Sequence, residues 1–249
     1  AALGLKRIDL WFVKGMCEHL PPMEARLDLP RIRKALQESG LSCHALSVYG
    51  AAPEVTLARL EQLAELGGKV LVRDSLSGPQ DTPQDVAERL RPFLKKAEQL
   101  GVTYAPENHC ATAFDSIEQI KCVLEAVPSQ RLGVAYAPIH TYTRKEDPAA
   151  AIRAIGSHMA LFYAWDWGPL AAKLWKDPAD QLPGTGVLDF PSMFRALKDV
   201  RHTQPLCLFA HGIEDWPAPQ AEAGLRKALA FCRGVEKEIS AQKQAAAMA

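Results

Sequence analysis

Five times along this chain a helix-like segment ends in glycine and the sequence runs directly into a short apolar stretch. Gly4 precedes Arg7 to Phe12, Gly40 precedes Cys43 to Val48, and Gly67 with Gly68 precedes Val70 to Arg73. Gly101 precedes Val102 to Ala105, and Gly133 precedes Val134 to Ala137. Glycine after a helix supplies the left-handed closing residue, and a β-rich run behind it is the αβ joint of a βα unit. Between the joints, apolar residues recur three and four apart, as in Leu57, Leu60, Leu63, Ala64 and Leu66, or Ile117, Ile120, Val123 and Leu124. Thr82-Pro83 and Asp189-Phe190-Pro191 have the form of helix starts, a capping side chain followed by a first-turn proline.

Two more strands are expected at Met159 to Trp165 and Pro205 to Ala210, then a last helix from about Pro219 to Ile239 and a frayed tail, Ser240 to Ala249. Repeated βα units with short connections make a parallel sheet covered by helices, either a barrel or an open doubly wound sheet. The barrel is preferred. Such barrels need eight units in about 250 residues, whereas here seven strands follow a helix end at Ala1 to Gly4. The expectation is therefore an α/β protein with one TIM (β/α)8-type barrel domain over residues 1–239, lacking the first strand and most of the first helix. An unpaired parallel edge would favour self-association, so a homo-oligomer is expected. The irregular stretch Gly168 to Gly186 reads as a functional loop over the barrel mouth.

The 249 residues carry no net charge, which leaves no electrostatic footprint for nucleic acid or an acidic membrane surface. No apolar run approaches the length of a membrane span. Six cysteines without CxxC spacing fit a reducing, cytoplasmic setting.

Chemistry concentrates at the ends of the expected strands. In Pro106-Glu107-Asn108-His109 a carboxylate and an imidazole two residues apart point the same way. In a parallel barrel that end faces the mouth, where such enzymes keep their active sites. His140 and His211 are expected to end the sixth and eighth barrel strands. With Glu107 and His109 they form a candidate metal set of one carboxylate and three imidazoles, suited to zinc, manganese or iron. The competing reading is a metal-free mouth with locally bonded histidines. Asp166 follows the aromatic run Phe162-Tyr163-Ala164-Trp165, an arrangement suited to a sugar, whose C–H faces stack while its hydroxyls are hydrogen-bonded. Candidate catalytic residues are Glu107, His140 and Asp166. Candidate substrate contacts are Trp11, Tyr49, Arg73, Tyr163 and Trp165. Gly184-Thr185-Gly186 offers backbone N–H groups to a phosphate, or is a plain tight turn.

Five segments in order resemble one family: Ile8-Asp9-Leu10-Trp11, Ala45 to Tyr49, Glu107-Asn108-His109, Leu132-Gly133-Val134 with His140 downstream, and Leu182 to Phe190. The chain resembles the sugar phosphate isomerase/epimerase family with the xylose-isomerase-like TIM barrel. That resemblance implies a divalent metal (Mn, Zn, Mg or Fe) held by a glutamate, an aspartate, a histidine or glutamine and a glutamate after strands five to eight. It also implies proton abstraction beside a sugar carbonyl, in carbohydrate metabolism. Glu107 matches the first ligand, but the others fall at Ala137, near Tyr163 and near Phe209, and the family's second catalytic glutamate falls at Ala113. The expected function is a sugar or polyol isomerase or epimerase with a degenerate or rearranged metal site. The alternative is a carbohydrate-binding or scaffold barrel that has lost the site.

Overall fold

The computed structural model describes residues 3–13, 17–20 and 27–248. The chain divides into two compact units, Ala1–Tyr136 with His158–Leu161, and Ala137–Ser157 with Phe162–Ala249.

The first unit runs β1 (Arg7–Val13), β2 (Cys17–Glu18), α1 (Leu29–Ser39), β3 (Ser42–Val48), α2 (Pro53–Glu65), β4 (Val70–Arg73), α3 (Pro83–Leu100), β5 (Thr103–Pro106), α4 (Ile117–Ala126) and β6 (Val134–Tyr136). Strands β1, β3, β4 and β5 are parallel neighbours in that order. Parallel bridges Tyr104–Leu132 and Glu107–Ala135 join the β5 and β6 segments. Gly40 and Gly101 close α1 and α3 at φ of 64° and 69°, and their amides donate back to helix carbonyls before the next strand begins. The strands are buried on both faces, as a parallel sheet under helices requires: Ala45, Leu46, Val48, Leu71 and Val72 are all inaccessible, as are Leu60, Leu63, Val86 and Leu90 of the helices over them.

The second unit contains α5 (Pro138–Thr143), α6 (Pro148–Ile155), the end of β7 (Met159–Ala164), α7 (Phe190–Asp199), β8 (Leu206–Leu208) and α8 (Ala218–Met248). Phe162, Tyr163 and Ala164 pair in parallel with Leu206, Cys207 and Leu208. Phe162 meets Phe194 edge-on at 6.3 Å, and Phe190 meets Phe231 at 5.5 Å, so α7 is clamped by rings from β7 and α8. Asp189 caps α7 by accepting from the Ser192 amide.

All seven expected strands form, most within a residue or two of their expected ends. Thr82 caps α3 in a reciprocal box with Asp85, and the 168–186 stretch is irregular apart from a short turn of helix, Pro178–Asp180. Four features differ. The two-residue β2, antiparallel to β1, has no sequence signature because pairing alone defines it. His140 does not end a strand: β6 stops at Tyr136 and Pro138 starts α5, placing His140 in its last turn. His211 lies three residues beyond the end of β8, in a turn. The last helix continues to Met248, past the expected end at Ile239. Ala1 and Ala2, part of the expected leading helix end, lie outside the described residues, as does Ala249.

Candidate active site

Register brings the strand-end side chains of the first unit to one face. Trp11 pairs with Ser47, Ser47 with Val72, and Val72 with Ala105. Residues two positions along a strand share a face, so Asp9, Tyr49 and Glu107 join that row. Glu107 is 4% exposed, and its Oε2 accepts from the Tyr49 hydroxyl at 2.5 Å. The Tyr49 ring stacks on Trp11 with centroids 5.1 Å apart. Trp11 Nε1 donates to Asp9 Oδ2 at 2.6 Å, and Ser47 Oγ donates to the same carboxylate at 2.7 Å. Asp9 thus fixes Trp11, Trp11 backs Tyr49, and Tyr49 orients the Glu107 carboxylate. Asp9 and Ser47 were not sequence candidates, although the Asp9–Trp11 spacing carries the same alternation signal as Glu107–His109.

Arg73, expected to touch a ligand, sits one residue out of phase with Val72. Its Nη1 donates to Thr56 of α2 at 2.7 Å, its guanidinium lies 5.9 Å from the centre of the Phe93 ring of α3, and it pairs with its neighbour Asp74. It is a buried tie between β4 and the helices. His109 is exposed just beyond β5, with Nδ1 3.1 Å from the Cys110 carbonyl oxygen and 3.7 Å from its sulfur. Hydrogen bonding to the Cys110 side chain and then the charge of Glu107 raise the imidazole to about 9.

The second unit carries an aromatic group. Trp165 meets His140 at 5.8 Å, Phe209 at 4.8 Å and His211 at 4.9 Å, all edge-on, and Tyr163 lies 5.4 Å from Phe209. Tyr163 and Trp165 are buried, as is His140. Asp166 has a different role from the acid–base one expected of it. It is 1% exposed, its Oδ1 accepts from the amides of Trp167 and Leu188, and its Oδ2 accepts from those of Gly184 and Gly186, all at 2.9–3.0 Å. Four donors occupy the carboxylate's acceptor positions, which makes it the anchor of the loop leading into α7. The Gly184-Thr185-Gly186 turn accordingly directs two of its amides at this internal carboxylate rather than outward at a phosphate. An added Cβ at Gly186 would fall on Asp166 Oδ1 and 2.7 Å from the Trp167 carbonyl carbon, so this position requires glycine.

A family description, the xylose isomerase-like TIM barrel, matches residues 1–235. The chain belongs to that family. Solved structures agree on the fold. That of an L-ribulose 3-epimerase is 17% identical with a TM-score of 0.73, covering 96% of this chain and 88% of its own. A D-psicose 3-epimerase in the presence of D-fructose is 17% identical with a TM-score of 0.72, covering 94% and 90%. The IolI protein with a bound zinc atom is 16% identical with a TM-score of 0.69, covering 97% and 90%. No curated protein matches the sequence. The family assigns this chain the parallel α/β TIM-barrel class. Among the described residues no helix is long and apolar enough to cross a membrane.

The resemblance implies a divalent metal. Among the described residues, no three His, Cys, Asp or Glu side chains are grouped so as to hold a metal ion. Ala137 and Phe209, at or near two positions where the resemblance expects ligands, have side chains without a lone pair, and Phe209 is packed against Tyr163 and Trp165. The donor set among the described residues does not fit the group.

Proposed function

We propose that this chain is a sugar- or polyol-modifying enzyme of the isomerase/epimerase kind, moving a proton on the carbon beside a carbonyl, with Glu107 as the base. The observation that carries the reading is the buried Glu107 carboxylate at a strand end, held at 2.5 Å by the Tyr49 hydroxyl. A base must be oriented before it is useful, and the Tyr49 hydroxyl orients this one. The epimerase neighbours support a sugar as the substrate class.

In this proposal a C–H bond breaks, its electron pair forms an enediolate with charge on the former carbonyl oxygen, and Glu107 holds the proton. Ala113 and Ala137 stand where the family's other carboxylates would be, and Asp166 is occupied by amides. One base acting from one side returns the proton most readily to the neighbouring carbon on the same face, as the hydroxyl proton moves to the other oxygen. Aldose–ketose isomerisation is therefore favoured over epimerisation. Within the second unit taken by itself, the Tyr163 and Trp165 group and His140 are proposed as sugar contacts. An unphosphorylated substrate fits the inward-turned Gly184–Gly186 amides. The protein is proposed to work in the cytoplasm as one domain over residues 1–239, with self-association into a homo-oligomer.

The test is incubation with L-ribulose, D-fructose and D-psicose in D2O, following deuterium entry beside the carbonyl by NMR. Exchange by the native protein and its loss in Glu107→Gln are expected. No exchange with any ketose, or exchange surviving in the variant, refutes the proposal. Binding without exchange would favour the second reading, a non-catalytic sugar-binding barrel, for which the two alanines are the specific observation.

A further inference from the structure

Tyr163 and Trp165, the aromatic residues that the sequence offers to a sugar, are buried, whereas Trp175 in the Gly168–Gly186 loop is 49% exposed. Its ring meets His211 edge-on at 5.3 Å, and His211 in turn rests against Trp165 and Phe209. The Lys176 ammonium lies 5.1 Å from the centre of the Trp175 ring. An exposed indole backed by a packed imidazole, with an ammonium over one face and the other face offered to a ligand, matches the chemistry of a sugar: apolar C–H faces for the ring and hydroxyls for the cation.

An exposed ring on an irregular loop is useful only if the loop is held, and one buried side chain holds it. Gln181 is fully buried. Its Oε1 accepts from Trp165 Nε1 at 2.9 Å and from the His211 amide at 3.1 Å. Its Nε2 donates to the carbonyls of Trp175 and Asp177, both at 2.7 Å. Its own carbonyl accepts from the Asp166 amide at 2.8 Å. The side chain therefore uses its full set of two donors and two acceptor lone pairs. In doing so it ties the end of β7, the turn after β8 and the Trp175 segment together. Nothing in the local sequence pattern marks it, because its partners come from three separate segments.

We infer that Trp175 is the sugar-stacking residue of the second unit and that Gln181 is the positioning residue that holds it against His211. The inference rests on the proposal that the substrate is a sugar. It adds a sugar-contacting residue of the second unit, outside the strand ends, and a buried amide that acts through it.

Gln181→Glu separates the two halves of this hub. A carboxylate keeps acceptors for Trp165 and His211 but faces the carbonyls of Trp175 and Asp177, so it releases the loop selectively. Trypsin can read that release without any ligand, because Lys173 and Lys176 flank Leu174-Trp175 and are exposed. Cleavage after these lysines is expected to accelerate by about tenfold in Gln181→Glu, with far-UV circular dichroism and cooperative melting retained. In calorimetric titrations with D-fructose and D-psicose, Gln181→Glu and Trp175→Ala are each expected to weaken binding by about fivefold to tenfold. Trp175→Ala leaves the Gln181 bonds in place, so its cleavage rate is expected within about threefold of native.

Native-like cleavage of Gln181→Glu overturns the positioning role, and native-like affinity of Trp175→Ala overturns the stacking role. If Gln181→Glu does not fold, Gln181→Met, of similar volume, is scored against the same two outcomes. Failure of the native protein to bind either ketose would overturn the sugar reading and the stacking role with it. The cleavage comparison would still judge the hold of Gln181, so the two failures are distinguishable.

Discussion

Replacing Asp166 by alanine removes the acceptor of four backbone amides at once. The bonds from Trp167, Gly184 and Gly186 are partly buried, so water can replace the carboxylate there, and each costs only a typical net hydrogen bond of about 0.5–1.5 kcal/mol. The bond from Leu188 is buried, and its amide would be left unsatisfied at about 1–3 kcal/mol. The expected loss is on the order of 2.5–7.5 kcal/mol, a large part of the roughly 5–15 kcal/mol that holds a protein folded. For a chain of this size that lowers the melting midpoint by roughly 5 °C or more. Asp166→Asn should lose nearly as much, because its amide group would oppose two N–H donors whichever way it turns. Differential scanning calorimetry of both variants checks this. A midpoint within about 3 °C of native in both, with activity lost, would refute the anchor assignment and restore an acid–base role to Asp166.

Further expectations follow from other parts of the molecule. Gly186→Ala should destabilise by about 2 kcal/mol or more, since the new Cβ must displace the Asp166 carboxylate or the Trp167 backbone, whereas a near-native midpoint would contradict the close approach. Tyr49→Phe should retain the fold but reduce the proposed isomerase turnover by about tenfold through loss of the hydroxyl that orients Glu107; unchanged turnover would remove Tyr49 from the proposed site. Asp81 is held down to about 2, first by its side-chain hydrogen bonds with Arg89 and then by the Gly78 amide. A depressed carboxyl stabilises above its unfolded value and loses that contribution as pH falls through about 2, so NMR titration should find Asp81 near 2 and shifted upward in Arg89→Ala. Because the described residues gather no three metal-ligating side chains, chelator treatment should leave the melting midpoint unchanged within about 1 °C. A drop reversed by added manganese or zinc would refute that expectation.

The fold was legible in the sequence because its determinants are local. Glycine stops such as Gly40 and Gly101, caps such as Thr82 and Asp189, and the alternation of helix-period with strand-period segments each act within a few residues. They specified the seven parallel strands, and the order of five short segments pointed to the family that the comparison found. The strand-end position of Glu107 was readable for the same reason, since it depends only on where β5 stops.

Tertiary structure decided what that carboxylate touches and what its supposed companions do. Tyr49 is 58 residues from Glu107 in sequence and reaches it only through strand register. Arg73 faces the helices because it lies one residue out of phase, and His140 belongs to a helix because Pro138 follows β6 so closely. Asp166 had the look of a catalytic acid until the loop folded its amides onto it, and Gln181 had no distinguishing mark until segments from residues 165, 175–177 and 211 met around its amide. Local sequence sets backbone conformation residue by residue, but a polar side chain's role depends on which distant donors and acceptors complete its hydrogen bonds, and only the packed chain brings those together.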